Sequence, residues 1–139
     1  MAKTVNFTGQ FEDRVAIREL CDQYCDGVMS KDMEMWGNTW AERCEWVRFG
    51  QVFARDRAAV VAEAKKMLDG YTSGTFFCNI GRTHVNGEHA TGRVYHIEVY
   101  FLEDRAEWYR TYFDDDYCKI DGRWYFQRRA LTMINSGKF

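Results

Sequence analysis

With 139 residues, 46% of them hydrophobic and 17% aromatic, the chain is sized to fold alone and to bury roughly two-thirds of its unfolded surface. Nineteen Lys and Arg against 21 Asp and Glu leave a formal charge of −2 without a basic run, which excludes the electrostatic footprint of a nucleic-acid binder. No apolar stretch approaches the roughly 20 residues of a membrane span, and the opening residues lack the apolar segment of a signal peptide, so a cytoplasmic protein with no membrane partner is expected.

The first helix is predicted to open after Thr8 as N-cap, with Ile17, Leu20, Cys21, Tyr24 and Val28 recurring at helical spacing as one apolar stripe. Gly27 weakens its end. Asp32 is placed to cap a short second helix carrying Met33, Trp36 and Trp40. Asp56 is placed to cap a third, "RAAVVAEAKKML", which Gly70 closes. Between these two helices, "CEWVRF" and "QVFA" read as short strands turning at Gly50.

After Gly70 the pattern is that of long strands. "NG" at Asn86 and Gly87 and "DG" at Asp121 and Gly122 are the dipeptides a two-residue type I′ hairpin needs, because both central residues take positive φ. "LEDRAE" supplies the remaining turn. Four antiparallel strands follow, near 75–85, 88–102, 106–119 and 123–134, longer than the roughly 5 to 6 residues of a typical strand and therefore prone to twist and curl. The absence of proline removes the usual marker of a domain boundary, so 1–139 is read as one domain.

Five cysteines are an odd number scattered through helices and strands, which fits buried thiols better than a disulfide framework. Cys21 and Cys25 lie four apart on one helix without the C-x-x-C or paired-His spacing of a metal site. No nucleophile elbow, glycine-rich phosphate loop or metal cluster is present, so acid and base chemistry without a cofactor or metal is the expectation.

In "GRVYHIEVYF", residues 92–101, strand alternation puts Val94, His96, Glu98 and Tyr100 on one face and Tyr95, Ile97, Val99 and Phe101 on the other. Two titratable groups on an otherwise apolar strand face either water or a pocket. A long antiparallel sheet curled over three helices makes an α+β cone with an open mouth, the first helix forming its floor.

The segments "AIRELCDQYCDGVMSKDMEMWGNTWAERCEW", "ARDRAAVVAEAKKML", "HATGRVY" and "YFDDDYCKIDGRWYFQRRAL" resemble the SnoaL-like branch of the nuclear transport factor 2-like superfamily over about residues 14–133. The resemblance rests on the order and spacing of elements rather than one diagnostic motif. It implies the cone fold for 1–139 and an activity among dehydratases, isomerases, cyclases, hydrolases and noncatalytic subunits. Carried over residue by residue, it places Tyr24, Arg48 and Glu98 in the pocket, and Tyr100 where some members have a catalytic histidine. Met29 stands where the family often has an aspartate, and Phe76 or Phe77 where it often has a histidine.

With that acid and base pair missing, His96 and Glu98 become the expected proton-transfer pair of a lyase, most simply a dehydratase, with Tyr24 or Arg48 stabilising an oxyanion. Retro-aldol cleavage, double-bond shift or cyclisation in the same pocket, or a noncatalytic binding or assembly role, are the alternatives. Arg48, Tyr100, Asn79, Trp40 and Asp115 are the expected substrate contacts, and a flat, partly apolar aromatic, polyketide or steroid-like ring the expected substrate. Arg128 and Arg129 are adjacent and face opposite ways, so at most one faces inward. The apolar face of Tyr95, Ile97, Val99 and Phe101 implies a homodimer or higher homo-oligomer.

Overall fold

The computed structural model describes residues 5–139. In chain order it contains β1 (Phe7–Thr8), α1 (Phe11–Met29), α2 (Met33–Gly37), β2 (Trp40–Arg48), β3 (Gln51–Asp56), α3 (Arg57–Leu68), β4 (Ser73–Asn86), β5 (His89–Phe101), β6 (Ala106–Ile120) and β7 (Arg123–Lys138). The strands form one open, curved seven-stranded sheet in the order β1-β4-β5-β6-β7-β2-β3, antiparallel except for the parallel β1/β4 and β2/β7 pairs. The three helices lie with this sheet as the expected α+β cone. Among the described residues no helix is long and apolar enough to cross a membrane.

Local chemistry explains most boundaries. The Asp32 carboxylate accepts from the Met35 N–H at 3.0 Å, and Asp56 accepts from the Ala59 N–H at 2.8 Å, so both predicted caps form. Thr8 does not cap α1. Its hydroxyl is bonded to His84 across the β1/β4 pair, Gln10 occupies the cap position, and no side chain caps the helix. What holds α1 is its stripe: Ile17, Leu20, Cys21, Tyr24 and Val28 are all buried, and an aliphatic side chain so placed contributes about 1.5–3 kcal/mol. Gly27 belongs to the same packing, since a Cβ there would stand 2.7 Å from the Cβ of Trp36 on α2. Trp40, expected on the second helix, instead begins β2 and is fully buried.

The turns follow glycine. Asp121 (φ 50°) with Gly122 (φ 79°), and Phe49 (φ 51°) with Gly50 (φ 73°), are two-residue loops with both central residues at positive φ, as a type I′ turn requires. The "NG" hairpin differs. Asn86 pairs with His89, so Gly87 and Glu88 are central and only Gly87 (φ 65°) is positive, the pattern of a type II′ turn.

Bulges set which face each strand presents. On β7, Asp116 pairs with Arg128 but Tyr117 with Phe126, leaving Gln127 as an extra residue that reverses the alternation. Trp124 and Phe126 point inward before it, and Arg129 inward after it, with Leu131 and Met133 beyond on the cavity wall. The bulge thereby chooses Arg129 over Arg128, which lies half-exposed 3.5 Å from Glu45.

Candidate active site

The mouth of the cone opens into a cavity of about 280 Å³. Its walls are mainly apolar, from Val28 of α1, Met67 and Leu68 of α3, Phe76 of β4 and Leu131 and Met133 of β7. Among the described residues Glu98 is the one carboxylate on its lining and Arg48 the one cation, joined by the hydroxyl-bearing Tyr24, Tyr71, Tyr100, Tyr109 and Thr111.

Glu98 sits where β5 enters the cavity. Its Oε2 accepts from the Tyr100 hydroxyl at 3.0 Å and its Oε1 from the Thr111 hydroxyl at 3.3 Å. Tyr100 reaches it because residues two apart share a strand face, and Thr111 because β6 runs beside β5 with His96 opposite Thr111 and Glu98 opposite Tyr109. Burial raises the pKa of Glu98, while the two hydroxyl donors and then the charges of Arg129 and Arg48 pull it back. A carboxyl group poised between these opposing effects can take up and release a proton at moderate pH.

His96 is on the same face but deeper. It is buried under Tyr24, Phe76 and Phe113, with ring centroids 5.9, 6.3 and 5.0 Å away, and it does not line the cavity. Its Nδ1 lies 4.0 Å from Glu98 Oε1, beyond hydrogen-bond length, and among the described residues neither ring nitrogen has a partner. The expected place of His96 in a proton-transfer pair with Glu98 is therefore corrected: alternation places both residues inward, but Tyr24, Phe76 and Phe113 enclose His96 while Glu98 lines the cavity. Burial, and then the Arg129 charge, hold His96 well below an imidazole's ordinary value of 6.5, so it is neutral.

The sign of that shift has a measurable consequence. Below pH 6.5 the unfolded chain takes up a proton on this imidazole that the folded chain refuses, so His96 costs stability as pH falls. His96→Phe, which keeps a ring among Tyr24, Phe76 and Phe113, is expected to gain on the wild type by about 2 kcal/mol between about pH 7.5 and pH 5. Urea denaturation of both proteins at the two pH values measures it. A difference independent of pH would contradict a neutral His96.

Beneath Tyr24 lies a second polar group that the cavity does not reach. Arg129 and Asp115 are both fully buried and joined bidentately, Nε to Oδ1 at 2.8 Å and Nη2 to Oδ2 at 3.0 Å, and Tyr117 donates to Asp115 Oδ2 at 2.9 Å. The guanidinium is packed between Phe113, Phe126 and Tyr24, with Cζ 4.0, 4.1 and 4.4 Å from the ring centres. Burial pushes the Asp115 carboxyl up while Arg129 and Tyr117 hold it down. Burial also opposes the Arg129 charge, which Asp115 retains.

Of the residues expected to contact substrate, Arg48 and Tyr100 line the cavity, as does Tyr24. Three do not. Asn79 is exposed on the outer face of β4, because Phe76, Cys78 and Ile80 take the inward phase there. Trp40 is packed behind the wall against Trp36, Trp46 and Phe126. Asp115 is committed to Arg129. Phe76 rather than Phe77 is the inward residue at the position of the missing histidine, and Phe77 is 65% exposed. Tyr109 and Thr111 also line the cavity, and no motif marks them in the sequence. Their signal was the "LEDRAE" turn, since pairing Phe101 with Ala106 sets Glu98 opposite Tyr109. Among the described residues no three His, Cys, Asp or Glu side chains gather as a metal-binding group, and all five cysteines are free thiols.

Comparisons place the fold among known proteins. A family model described as the SnoaL-like domain matches residues 9–130. A candidate scytalone dehydratase from Novosphingobium aromaticivorans superposes with a TM-score of 0.83 at 18% identity, covering 92% of this chain and 88% of that one. A type 2 hexachlorocyclohexane dehydrochlorinase gives 0.82 at 18% identity, with 92% and 89% covered. A Mycobacterium tuberculosis protein of unknown function gives 0.80 at 24% identity, with 89% and 73% covered. At these identities the likeness is one of fold. No curated protein matches the sequence.

Proposed function

Because this chain belongs to the SnoaL-like domain family, we propose that it is a cofactor-independent lyase that eliminates water from a flat, partly apolar substrate, with Glu98 transferring the proton. The observation that carries this is the placement of Glu98: the only carboxylate on an apolar cavity, held by two hydroxyl donors, with its pKa raised by burial. Two of the similar folds bear the names of a dehydratase and a dehydrochlorinase, both eliminations.

The chemistry needs one base and one acid in sequence. The Glu98 carboxylate takes a proton from a carbon beside a carbonyl, and the electron pair moves to the carbonyl oxygen. Tyr24, kept protonated by burial, donates a hydrogen bond to that oxyanion. As the electrons return to form the double bond, the hydroxyl on the adjacent carbon leaves and takes the proton from Glu98, giving water and restoring the carboxylate. The substrate screen that tests this is a set of aromatic and alicyclic β-hydroxy ketones followed by ultraviolet absorbance of the conjugated product, with Glu98→Gln as control. Turnover equal in the two proteins would overturn it.

Assembly through the convex face belongs to the same reading. Phe77 and Ile97 are cross-strand partners there at 65% and 44% exposure, next to Tyr95 and Phe101, an apolar surface costly to leave wet. Two copies packed through this face would shield it. The wild type is expected to scatter light as a dimer or larger at micromolar concentration, and Ile97→Lys to shift it toward monomer. A monomeric wild type would refute the assembly.

A further inference from the structure

From the state of Arg48 we infer that the substrate carries a carboxylate on its flat apolar body, and that Arg48 binds it opposite Glu98. This rests on the proposed lyase reading and adds the substrate's charge to it. Arg48 closes β2 at the hairpin with β3, and its guanidinium lines the cavity. Its aromatic setting is complete: Cζ lies 5.0 Å from the ring centre of Phe53, 5.5 Å from Phe49 and 5.6 Å from Trp46. Its polar setting is not. Nη1 rests 2.9 Å from the thioether sulfur of Met67, a weak acceptor, and among the described residues the buried Nε has no partner.

Among the described residues no carboxylate pairs with Arg48, in contrast to Arg93 and Arg129, which have one each, and Arg105, which has two. Arg129, which is fully buried, shows what this chain does when an arginine is structural: it supplies Asp115 bidentately and Phe113 and Phe126 for the faces. Arg48 has the faces without the anion. A guanidinium so placed offers a planar fork to a carboxylate entering the cavity.

The charge balance selects a monoanion. Among the described residues one cation and one carboxylate line the cavity, and neither a lysine nor a second arginine accompanies Arg48 on its lining. A phosphate dianion would meet Glu98 with insufficient compensation, whereas a single carboxylate at Arg48 leaves Glu98 free for the proton.

Calorimetric titration with two probes of one shape separates the outcomes. At about pH 8, 2-naphthoate is expected to bind the wild type at least roughly tenfold more tightly than neutral 2-naphthalenemethanol. Arg48→Gln should abolish that preference while retaining the alcohol, and Arg48→Lys should keep part of it, since an ammonium holds the charge without the fork. Glu98→Gln should bind naphthoate at least as well as the wild type. Equal affinity for the two probes in the wild type, a preference that survives Arg48→Gln, or no naphthoate binding at millimolar concentration would each overturn the carboxylate assignment. Because the titration needs no turnover, its failure leaves the Glu98 chemistry standing, and loss of the Glu98 chemistry leaves the titration interpretable.

Discussion

Asp115→Asn is expected to destabilise the protein by about 3–5 kcal/mol, a large part of the total stability of a domain this size. The substitution preserves shape but leaves the Arg129 guanidinium fully buried with its charge uncompensated, among three aromatic rings and with Nη1 already lacking a partner. Attraction between the two ions is not what makes the loss large. The penalty is that of a desolvated charge stranded by the loss of its counterion, so removing both members together should cost far less than the sum of the single losses. Urea denaturation of Asp115→Asn, Arg129→Met and Asp115→Leu with Arg129→Met measures this as a double-mutant cycle. Additive losses would show that the pair is not coupled as its geometry implies. The cavity does not reach this pair, so activity should fall chiefly through loss of folded protein.

Glu98→Gln is expected to lower turnover at least about 100-fold and leave the fold intact, because the amide keeps the size and can still accept from Tyr100 or Thr111. The pH profile carries the more specific signature. Glu98 must be ionised to accept the proton, and its pKa is raised by burial, so kcat/KM should fall on acidification with a midpoint above the ordinary carboxylate value of 4.5. The Tyr100 and Thr111 hydroxyls act in the opposite direction by bonding to the carboxylate. Tyr100→Phe removes one of these donors and should therefore move the acid limb to higher pH, with kcat on the plateau falling less than in Glu98→Gln. A limb that moves to lower pH, or does not move, would separate Tyr100 from the protonation of Glu98. Unchanged turnover in Glu98→Gln would end the role given to Glu98 itself.

The amino-acid sequence by itself determined what depends on neighbours along the chain. The α1 stripe, the Asp32 and Asp56 caps, the Asp121–Gly122 turn and the alternation of β5 are local, with periods of 3.6 or 2 and side chains that reach their own backbone, and each is found where the pattern placed it. The resemblance carried the cone and, with it, the inward face of β5. Tertiary structure decided what depends on phase and depth. One extra residue at Gln127 reversed the alternation of β7 and turned Arg129 inward, and no count along the strand reveals a bulge. That choice gave Asp115 its partner and removed it from the substrate contacts. Depth separated His96 from Glu98. Both are inward by period, but Tyr24, Phe76 and Phe113 enclose one while the other lines the cavity, so one became a neutral core imidazole and the other the carboxylate of an open cavity. A period of 2 specifies a face; how far up the cone each residue stands depends on what packs across from it.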